Sequence, residues 1–434
     1  MGHVGNPRRL RVLLVPDAAQ WIQGAKARAI ADANPWIEPT IISEGVIRRL
    51  FPEGRGLLGH IDLVHFLWQS SYGRIGRAFV DRAPCACAIA HVEDWERSRV
   101  AAEADAVMYL ASEWRDDMIR RGVPADRLHH LPNGADTNLF RPASPGRGRA
   151  LRKAMGLSAD AFVVGFAAKR SSDVGGRKGV DVFSRSIRAL HARLPAAVPL
   201  IVGPGWTDLV RRFRRDGIRT VWRPFIPDRR RLARAYQCMD VFWITSRCEG
   251  GPATLLEAMA GGVCCVTTPV GMARDLVRDG ENAILVPRDD AEAFVRKTAD
   301  LAAAPARRRC IGRCARRTIR DGYQWRQTAR AAAGLYTGAI RRFSDRTGRP
   351  MRDDLLAAID PDAEPRREGE REYLSAVPSA LRRRVRAAEA ERWMRHIASL
   401  GDWRAVVRCA AREPWNADGW LGLMRAVVGR FRRH

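Results

Sequence analysis

Two glutamates and two glycines in the segment 241–262 have residue types and a spacing that suit a phosphorylated ligand. The segment starts with an apolar run that predicts a buried strand over 241–244. It passes through the loop Gly250-Gly251-Pro252 and predicts a helix over 253–260. Glu249 lies in the loop and Glu257 in the helix, with seven residues between them. Glycine lets backbone N–H groups approach a ligand closely, and the N–H groups at a helix start favour a diphosphate. The alternative is an ordinary turn flanked by two solvated carboxylates.

A second segment with suitable chemistry is the basic, glycine-rich loop 169–181, which follows the predicted strand 162–168. In an open α/β sheet, ligands bind at the carboxyl ends of the strands. Backbone N–H groups and cationic side chains in such a loop can surround the oxygens of a diphosphate. Arg170 and Lys178 are therefore the candidate cationic ligands, and a solvated basic loop is the alternative.

The two segments together resemble the retaining glycosyltransferases of family 4. Segment 241–262 resembles the family's Glu-(seven residues)-Glu signature, and the likeness continues without a break through Thr268-Pro269-Val270-Gly271 to Val286. Loop 169–181 resembles the family's loop that ends in Lys-Gly. The resemblance implies the α/β GT-B fold, in which two Rossmann-like domains face each other.

The resemblance also implies roles for these residues toward a nucleotide-sugar donor. Glu249 corresponds to the residue that holds the hydroxyls of the donor sugar, and Glu257 to the one that accepts hydrogen bonds from the ribose hydroxyls. Lys178 corresponds to the phosphate-binding lysine. The family's partner arginine corresponds to the position of Phe166, so Arg170, further along the loop, is the expected replacement.

Two further sets of residues follow from the same resemblance. Phe225 and Ile226 lie at the turn whose backbone groups hold the nucleotide base, although hydrophobic packing explains them equally well. His91 follows a predicted strand and resembles the family's histidine that touches the donor sugar, although a single histidine is more often structural. Asp94 and Glu96 are weaker candidates for holding the acceptor.

The chain divides into four predicted parts. Residues 1–145 are predicted to form an acceptor-side Rossmann-like domain, and residues 146–327 the nucleotide-sugar-binding Rossmann-like domain. Residues 328–344 correspond to the helix that crosses back to the first domain, and residues 345–434 are predicted to be a linker and an all-helical extension. The Pro-Asn-Gly-x-Asp segment at Asn133 is predicted to be structural rather than ligand-binding.

The sequence also predicts where linkers and helices lie within these parts. The stretch 143–149, rich in proline, glycine and arginine, is predicted to join the two domains, and the charged stretch 345–372 to be mobile. Residues 381–430 predict two or three amphipathic helices. Within them, 403–423 faintly resembles a tetratricopeptide unit, which must pack on the enzyme, a partner or a second copy, or rest on a membrane. Near the N-terminus, Gly24 is predicted to lie in the loop after the first strand.

The composition is that of a globular protein with an unusual charge. The chain has 434 residues and a formal net charge of +27, which is supplied mostly by clustered arginines. Compositional bias is the first interpretation, attraction to anionic membrane lipid the second, and nucleic-acid binding the third, because aromatic residues are not regularly interleaved with the arginines. The nine cysteines are scattered and indicate buried thiols rather than a zinc site or disulfides. Without a long apolar run or a signal peptide, the sequence predicts a cytoplasmic location, with peripheral membrane contact as an option.

The resemblance implies transfer of a sugar from a nucleotide-sugar donor to a hydroxyl of a glycan or lipid-linked acceptor, with retention of the anomeric configuration. Lys178, Arg170 and the Gly250-Gly251 amides would stabilise the leaving diphosphate. No metal and no other cofactor is expected, and the one Asp-x-Asp spacing, at Asp360 and Asp362, lies in the predicted linker. Three alternatives stay open: a non-catalytic GT-B-fold binding protein, a nucleotide-sugar epimerase or sugar phosphorylase, and a nucleic-acid-binding protein.

Overall fold

The computed structural model describes residues 8–19, 21–92, 95–170, 176–224, 226, 228–364, 373–374 and 377–399. Of Arg97, Ile397 and Ala398 only the backbone is described. The contacts divide the chain into two compact units. The first contains the residues up to Pro132 and those from Trp325 onward, and the second contains Asn133–Gln324.

The first unit is built on a six-stranded sheet in which every pairing is parallel. Most strand residues are fully buried, which is why the strands read as short apolar runs rather than alternating patterns. The strand order is β2-β1-β3-β4-β5-β6, so the topological switch point lies between β1 and β3. The strands are β1 Leu10–Val15, β2 Ile37–Ile41, β3 Leu63–Phe66, β4 Cys85–Ile89, β5 Ala106–Tyr109 and β6 Leu128–His130.

Helices connect these strands and cover the sheet. Those in the described part of the N-terminal stretch are α1 Ile22–Ala33, α2 Glu44–Leu50, α3 Gln69–Ile75, α4 Trp95–Arg99 and α5 Ser112–Arg120.

The second unit contains a second parallel six-stranded sheet. Its order is β9-β8-β7-β10-β11-β12, which is the 3-2-1-4-5-6 order of the Rossmann fold, with the switch point between β7 and β10. The strands are β7 Phe162–Ala167, β8 Ala197–Val202, β9 Val221–Arg223, β10 Val241–Ile244, β11 Cys264–Thr267 and β12 Ile284–Leu285. A core of apolar side chains, among them Phe183 and Trp243, packs against this sheet.

The helices of the second unit alternate with its strands, as expected for right-handed βαβ crossovers. They are α6 Pro145–Ala154, α7 Val180–Arg193, α8 Thr207–Arg215, α9 Arg229–Tyr236, α10 Ala253–Ala260, α11 Met272–Leu276, α12 Ala291–Ala303 and α13 Pro305–Gly322. After α13 the chain returns to the first unit, with α14 Trp325–Ala329, α15 Ala332–Thr347, α16 Asp353–Ala357 and α17 Ser379–Ser399. Helix α15 packs against β4 and β5.

Three local predictions are corrected by the structure. The stretch 143–149 is not only a linker, because α6 begins at Pro145, and proline suits the first turn of a helix. Gly24 lies inside α1 rather than in the preceding loop, and the position requires glycine because a Cβ atom there would lie 1.9 Å from the carbonyl oxygen of Ala19. The predicted linker 345–372 contains the end of α15 and the whole of α16. The segment resembling a tetratricopeptide unit lies outside the described residues.

Four strand cysteines are buried as predicted: Cys85, Cys87, Cys264 and Cys265. Burial raises the pKa of each of these thiols, to about 12 for Cys264. They therefore remain protonated and act as small apolar side chains. Among the described residues, no helix combines the length and the hydropathy needed to cross a lipid bilayer.

A lysine and a histidine are buried in the core of the first unit. Lys26, on α1, donates from Nζ to the carbonyl oxygen of Leu131 at 2.8 Å, and burial lowers its pKa well below 10.5. Nδ1 of His65, on β3, lies 3.1 Å from the hydroxyl of Tyr336. Burial lowers the pKa of His65 to about 3. The folded core therefore favours the neutral form of both side chains.

Substituting Lys26 by methionine is expected to flatten the rise of the free energy of unfolding with pH, because a lysine whose pKa is lowered by folding contributes such a rise and methionine contributes none. Between the lowered pKa and 10.5, the unfolded chain binds the Lys26 proton and the folded chain does not. The wild type should therefore gain stability as the pH rises through this window, and K26M should gain less. Urea unfolding at pH 7, 8 and 9 measures both pH slopes, with K153M on the exposed side of α6 as the control. Equal pH slopes in wild type and K26M would contradict the assignment.

Candidate active site

Two loops meet at the switch point of the second sheet. The first follows β7 and leads into α7, and the second follows β10 and leads into α10. Because β7 and β10 are parallel neighbours, their carboxyl ends lie side by side, where sheets of this order bind ligands. The fold therefore brings together Lys178 from the first loop and Glu249 from the second.

Glu249 is a buried carboxylate that contacts polar side chains of both loops. Its Oε1 accepts hydrogen bonds from Lys178 Nζ at 2.5 Å and from Ser246 Oγ at 2.8 Å, and Arg177 Nη1 lies 3.6 Å from Oε2. Burial alone would raise the pKa of Glu249, but the charges of Lys178 and Arg177 and the hydrogen bonds outweigh it, so this pKa lies below its usual value. Glu249 is therefore ionised at neutral pH and held in one position.

The lysine loop, residues 176–179, approaches the end of β10 closely because it contains a glycine at position 179. Gly179 has a φ of +61°, and a Cβ atom there would lie 1.9 Å from the carbonyl oxygen of Thr245. The hydroxyl of Thr245 donates to the carbonyl groups of Lys178 and Gly179, at 3.0 and 2.9 Å. Because Thr245 directly follows β10, it fastens the lysine loop to that strand.

The loop between Glu249 and α10 is held through its carbonyl groups. Gly250 O accepts a hydrogen bond from the backbone N–H of Met272 at 3.0 Å, and Gly251 O accepts one from Asn133 Nδ2 at 2.8 Å. Gly271 is needed because a Cβ atom there would lie 2.2 Å from Gly250 O. Within the described part of the chain, no backbone hydrogen bond is assigned to the N–H groups of the two loop glycines. These donors and the start of α10 are therefore available to an anion.

Glu257 lies on α10 with both carboxylate oxygens engaged. Oε1 accepts a hydrogen bond from Arg229 Nη2, and Oε2 accepts one from the hydroxyl of Tyr236, each at 3.0 Å. Burial raises the pKa of Glu257, while Arg229 and Tyr236 oppose the rise. Since each carboxylate oxygen can accept a second hydrogen bond, ribose hydroxyls could bind beside these partners.

Arg247 ties the lysine loop to the rest of the unit. Its guanidinium forms a bidentate pair with Asp181, at 2.9 and 2.8 Å, and Nη1 also donates to the carbonyl oxygen of Gly176 at 2.7 Å. Nε donates to Asp289 at 2.6 Å. The hydrogen bonds that Arg247 donates to these carboxylates, to Asp181 foremost, raise its pKa. The planar fork therefore fixes both ends of the segment that carries Lys178.

Replacing Arg247 by lysine is expected to lower the free energy of unfolding by about 1–3 kcal/mol, because an ammonium cannot satisfy the bidentate pair with Asp181 and the Asp289 contact together. Chemical denaturation measures this effect. R231K, which changes an exposed arginine on α9 in the same way, is the control. A loss no greater than that of R231K would show that Arg247 does not hold the loop.

Arg170 packs against an aromatic ring of the second unit. Its guanidinium carbon is 5.7 Å from the ring centroid of Trp206, a cation–π geometry, and its backbone N–H donates to Pro204 O at 3.0 Å. Phe166, at the position of the family's arginine, is buried and stacks on Phe183 with ring centroids 4.2 Å apart. The core therefore occupies that position, and a diphosphate role for Arg170 stays a prediction.

The predicted base-binding turn is described in part. Ile226 is half-buried three residues after β9, and Phe225 lies outside the described residues. Their roles toward the base stay predictions.

His91 belongs to the first unit, two residues after the end of β4. Its ring is 6.3 Å from that of Trp68 and 6.4 Å from that of Trp114, measured between centroids. Glu96 is exposed on α4, and Asp94 lies outside the described residues. The histidine is therefore at the carboxyl end of a sheet, as its predicted role requires, and that role itself stays a prediction.

Several side chains that hold the two glutamates and the lysine loop were not predicted from the sequence. These are Arg177, Ser246, Arg229, Tyr236 and Arg247. Arg177 and Ser246 adjoin predicted site residues, so proximity could have suggested them. Arg247 lies two residues before Glu249, so proximity could have suggested it as well. Arg229 and Tyr236 lie on α9, and only the packing of α9 beside α10 brings them to Glu257.

Comparison with solved structures identifies the fold class. A HepE protein of Anabaena in complex with UDP and glucose superimposes with a TM-score of 0.63 at 20% identity, over 76% of this chain and 100% of that one. A sucrose-phosphate synthase from Thermosynechococcus elongatus gives a TM-score of 0.61 at 19% identity, over 76% and 98% of the two chains. With the two parallel six-stranded sheets, these similarities show that the chain has the predicted GT-B fold and a helical C-terminal region.

The family comparison concerns the second unit directly. Residues 161–304 match the family model described as Glycosyl transferases group 1, so the resemblance predicted from the sequence is confirmed for this segment.

Curated relatives support the same assignment. The GDP-mannose-dependent alpha-(1-6)-phosphatidylinositol monomannoside mannosyltransferase of Mycolicibacterium smegmatis is 30% identical over 55% of this chain. A D-inositol 3-phosphate glycosyltransferase of Xylanimonas cellulosilytica is 32% identical over 56% of this chain. The matches span 64% and 59% of those proteins, which is less than two thirds of their length.

Proposed function

We propose that the protein is a retaining glycosyltransferase that moves a sugar from a nucleotide-sugar donor to a hydroxyl acceptor. The observation that carries the proposal is the buried Glu249–Lys178 pair at the switch point of a group 1 domain, next to the start of α10. Such a constellation of a fixed carboxylate, a cation and available N–H groups suits a sugar diphosphate.

In the proposed reaction, the bond between the anomeric carbon and the diphosphate oxygen breaks, and its electron pair leaves with the nucleoside diphosphate. The acceptor oxygen bonds to the same face of the anomeric carbon, and its proton passes to the leaving diphosphate. Lys178 and the amides of Gly250 and Gly251 stabilise the charge that develops on the diphosphate. Glu249 holds the sugar hydroxyls, and Glu257 the ribose.

The remaining parts of the proposal come from the family resemblance. Arg170 adds a second cation at the diphosphate, Phe225 and Ile226 hold the base, and His91 contacts the donor sugar. The acceptor is a glycan or a lipid-linked acceptor, bound on the side of the first unit. We also propose a cytoplasmic location with peripheral membrane contact. The positive net charge supports the membrane contact, because anionic lipids attract basic surfaces.

The proposal is tested by incubating the protein with UDP-glucose, GDP-mannose and ADP-glucose. D-inositol 3-phosphate and octyl α-mannoside serve as acceptors, because the relatives' names include inositol phosphate and mannoside acceptors. We expect one donor to give a glycosylated product in which NMR shows the donor's anomeric configuration. An inverted product would contradict retention. Interconversion of the donor sugar without transfer would indicate an epimerase, and no turnover of any donor would favour a binding protein.

A further inference from the structure

The C-terminal segment 373–399 is attached to the first sheet at its edge. The backbone N–H of Ile41 donates to Tyr373 O at 2.8 Å, and Leu374 forms an antiparallel bridge with Thr40 of β2, the edge strand. The hydroxyl of Tyr373 donates to Asp32 Oδ1 at 2.8 Å. An exposed sheet edge is therefore paired by the chain's own extension.

Helix α17 then continues along the carboxyl ends of β1 and β2. It packs against α2, and Val385 and Ala388 join the apolar core of the first unit. Glu389 accepts hydrogen bonds from the backbone N–H of Ser43 at 2.6 Å and from the Ser43 hydroxyl at 3.0 Å. Since Ser43 precedes α2 directly, α17 is anchored at the loop that follows β2.

Two further side chains of α17 reach the loop that follows β1. Nη2 of Arg392 donates to the carbonyl oxygen of Asp17 at 2.8 Å. The ring of His396 packs edge-on against Trp21, with centroids 5.1 Å apart. This loop lies at the switch point of the first sheet, between β1 and β3, where an open α/β sheet binds its ligand.

We infer that Arg392 and His396 are positioning residues for the acceptor: through them, α17 holds the loop after β1 in the conformation that binds it. The inference rests on the proposed function. The loop has hydrogen bonds of its own, from Ala18 N–H to Asp17 Oδ1 at 2.7 Å and from Trp21 N–H to Ala18 O at 3.2 Å. Helix α17 adds one contact to the Asp17 carbonyl group and one to the Trp21 ring. The C-terminal segment is therefore part of the acceptor side of the enzyme rather than an independent appendage.

The first arm of the test does not need activity. Hydrogen exchange of the backbone amides in 16–24 is compared between wild type, R392A/H396A and the control R384A, which removes an exposed arginine from the same helix. We expect exchange at least about tenfold faster in the double variant and unchanged exchange in R384A, since the loop's opening would no longer break two contacts. Unchanged exchange in the double variant would overturn the inference.

The second arm separates positioning from general damage. Hydrolysis of the donor, which is transfer to water, is measured beside transfer to D-inositol 3-phosphate and octyl α-mannoside. We expect R392A/H396A to raise the KM for whichever of these acceptors wild type uses by about tenfold and to leave donor hydrolysis within twofold of wild type. R392K/H396A should recover part of the loss in acceptor KM. Equal losses in hydrolysis and transfer would overturn the inference. If no donor is turned over by wild type, the proposed function fails, and the exchange arm alone decides whether α17 holds the loop.

Discussion

Substituting Lys178 by methionine is expected to reduce turnover of the nucleotide-sugar donor by about 100- to 1,000-fold, the usual loss when one preorganised charge-stabilising group is removed. The same change leaves the buried carboxylate of Glu249 without its shortest contact, at 2.5 Å. The free energy of unfolding should fall by about 3 kcal/mol at pH 7, because a buried charge that loses its partner is costly. Steady-state kinetics and urea unfolding measure the two effects.

The loss of stability in K178M should depend on pH. In wild type the pKa of Glu249 is lowered, so its ion pair stabilises the fold above the usual carboxyl pKa of 4.5 and is lost as the pH falls through the lowered value. In K178M this contribution shrinks, and the stability loss should be smaller at pH 4 than at pH 7.

A double variant and a matched control separate charge from packing. K178M/E249Q should recover most of the stability, since no uncompensated charge remains, without recovering turnover. K153M, an exposed lysine on α6, should change neither quantity. Full turnover by K178M would remove the lysine from the proposed mechanism.

Substituting Gly179 by alanine is expected to lower the free energy of unfolding by about 2–5 kcal/mol and to abolish turnover. The loss combines a left-handed backbone that alanine rarely adopts with a Cβ atom 1.9 Å from Thr245 O. Relief of this clash must move the loop and with it Lys178, which directly precedes the glycine.

Gly217 provides a close control for this experiment. Its φ is also positive, at +74°, but a Cβ atom there meets nothing within 4 Å. G217A should therefore show the backbone cost alone, about 1 kcal/mol, with normal turnover. If G179A and G217A lose equal stability and keep equal turnover, the close approach of the lysine loop to β10 is not what turnover requires.

The sequence predicted the second unit well because its elements carry local signals. Strand β10 and helix α10 begin and end at the predicted residues, since a four-residue apolar run and a Gly-Gly-Pro turn mark their limits. The prediction that 143–149 is a linker was wrong in part. Proline is common where regular structure is interrupted, but it also suits the first turn of a helix, and α6 begins at Pro145.

The environment of the two glutamates could not be predicted in the same way. Their types and spacing indicated a site, but Glu257 is held by Arg229 and Tyr236, which lie on α9, more than twenty residues earlier. No periodicity links these positions, and only the packing of α9 beside α10 brings them together. The anchoring of α17 at the loop after β1 is non-local in the same sense.

The most direct test of the central claim, that the switch point of the second unit binds a nucleotide-sugar donor, is calorimetric titration of the full chain with UDP, GDP and ADP and their sugar forms. We predict that one nucleotide binds selectively and that E257A lowers its affinity at least about tenfold, since a fixed carboxylate that accepts two ribose hydrogen bonds is lost. E292A, an exposed glutamate at the start of α12, should bind as wild type does. No nucleotide binding by folded wild-type protein, or equal affinities in wild type and E257A, would contradict the claim.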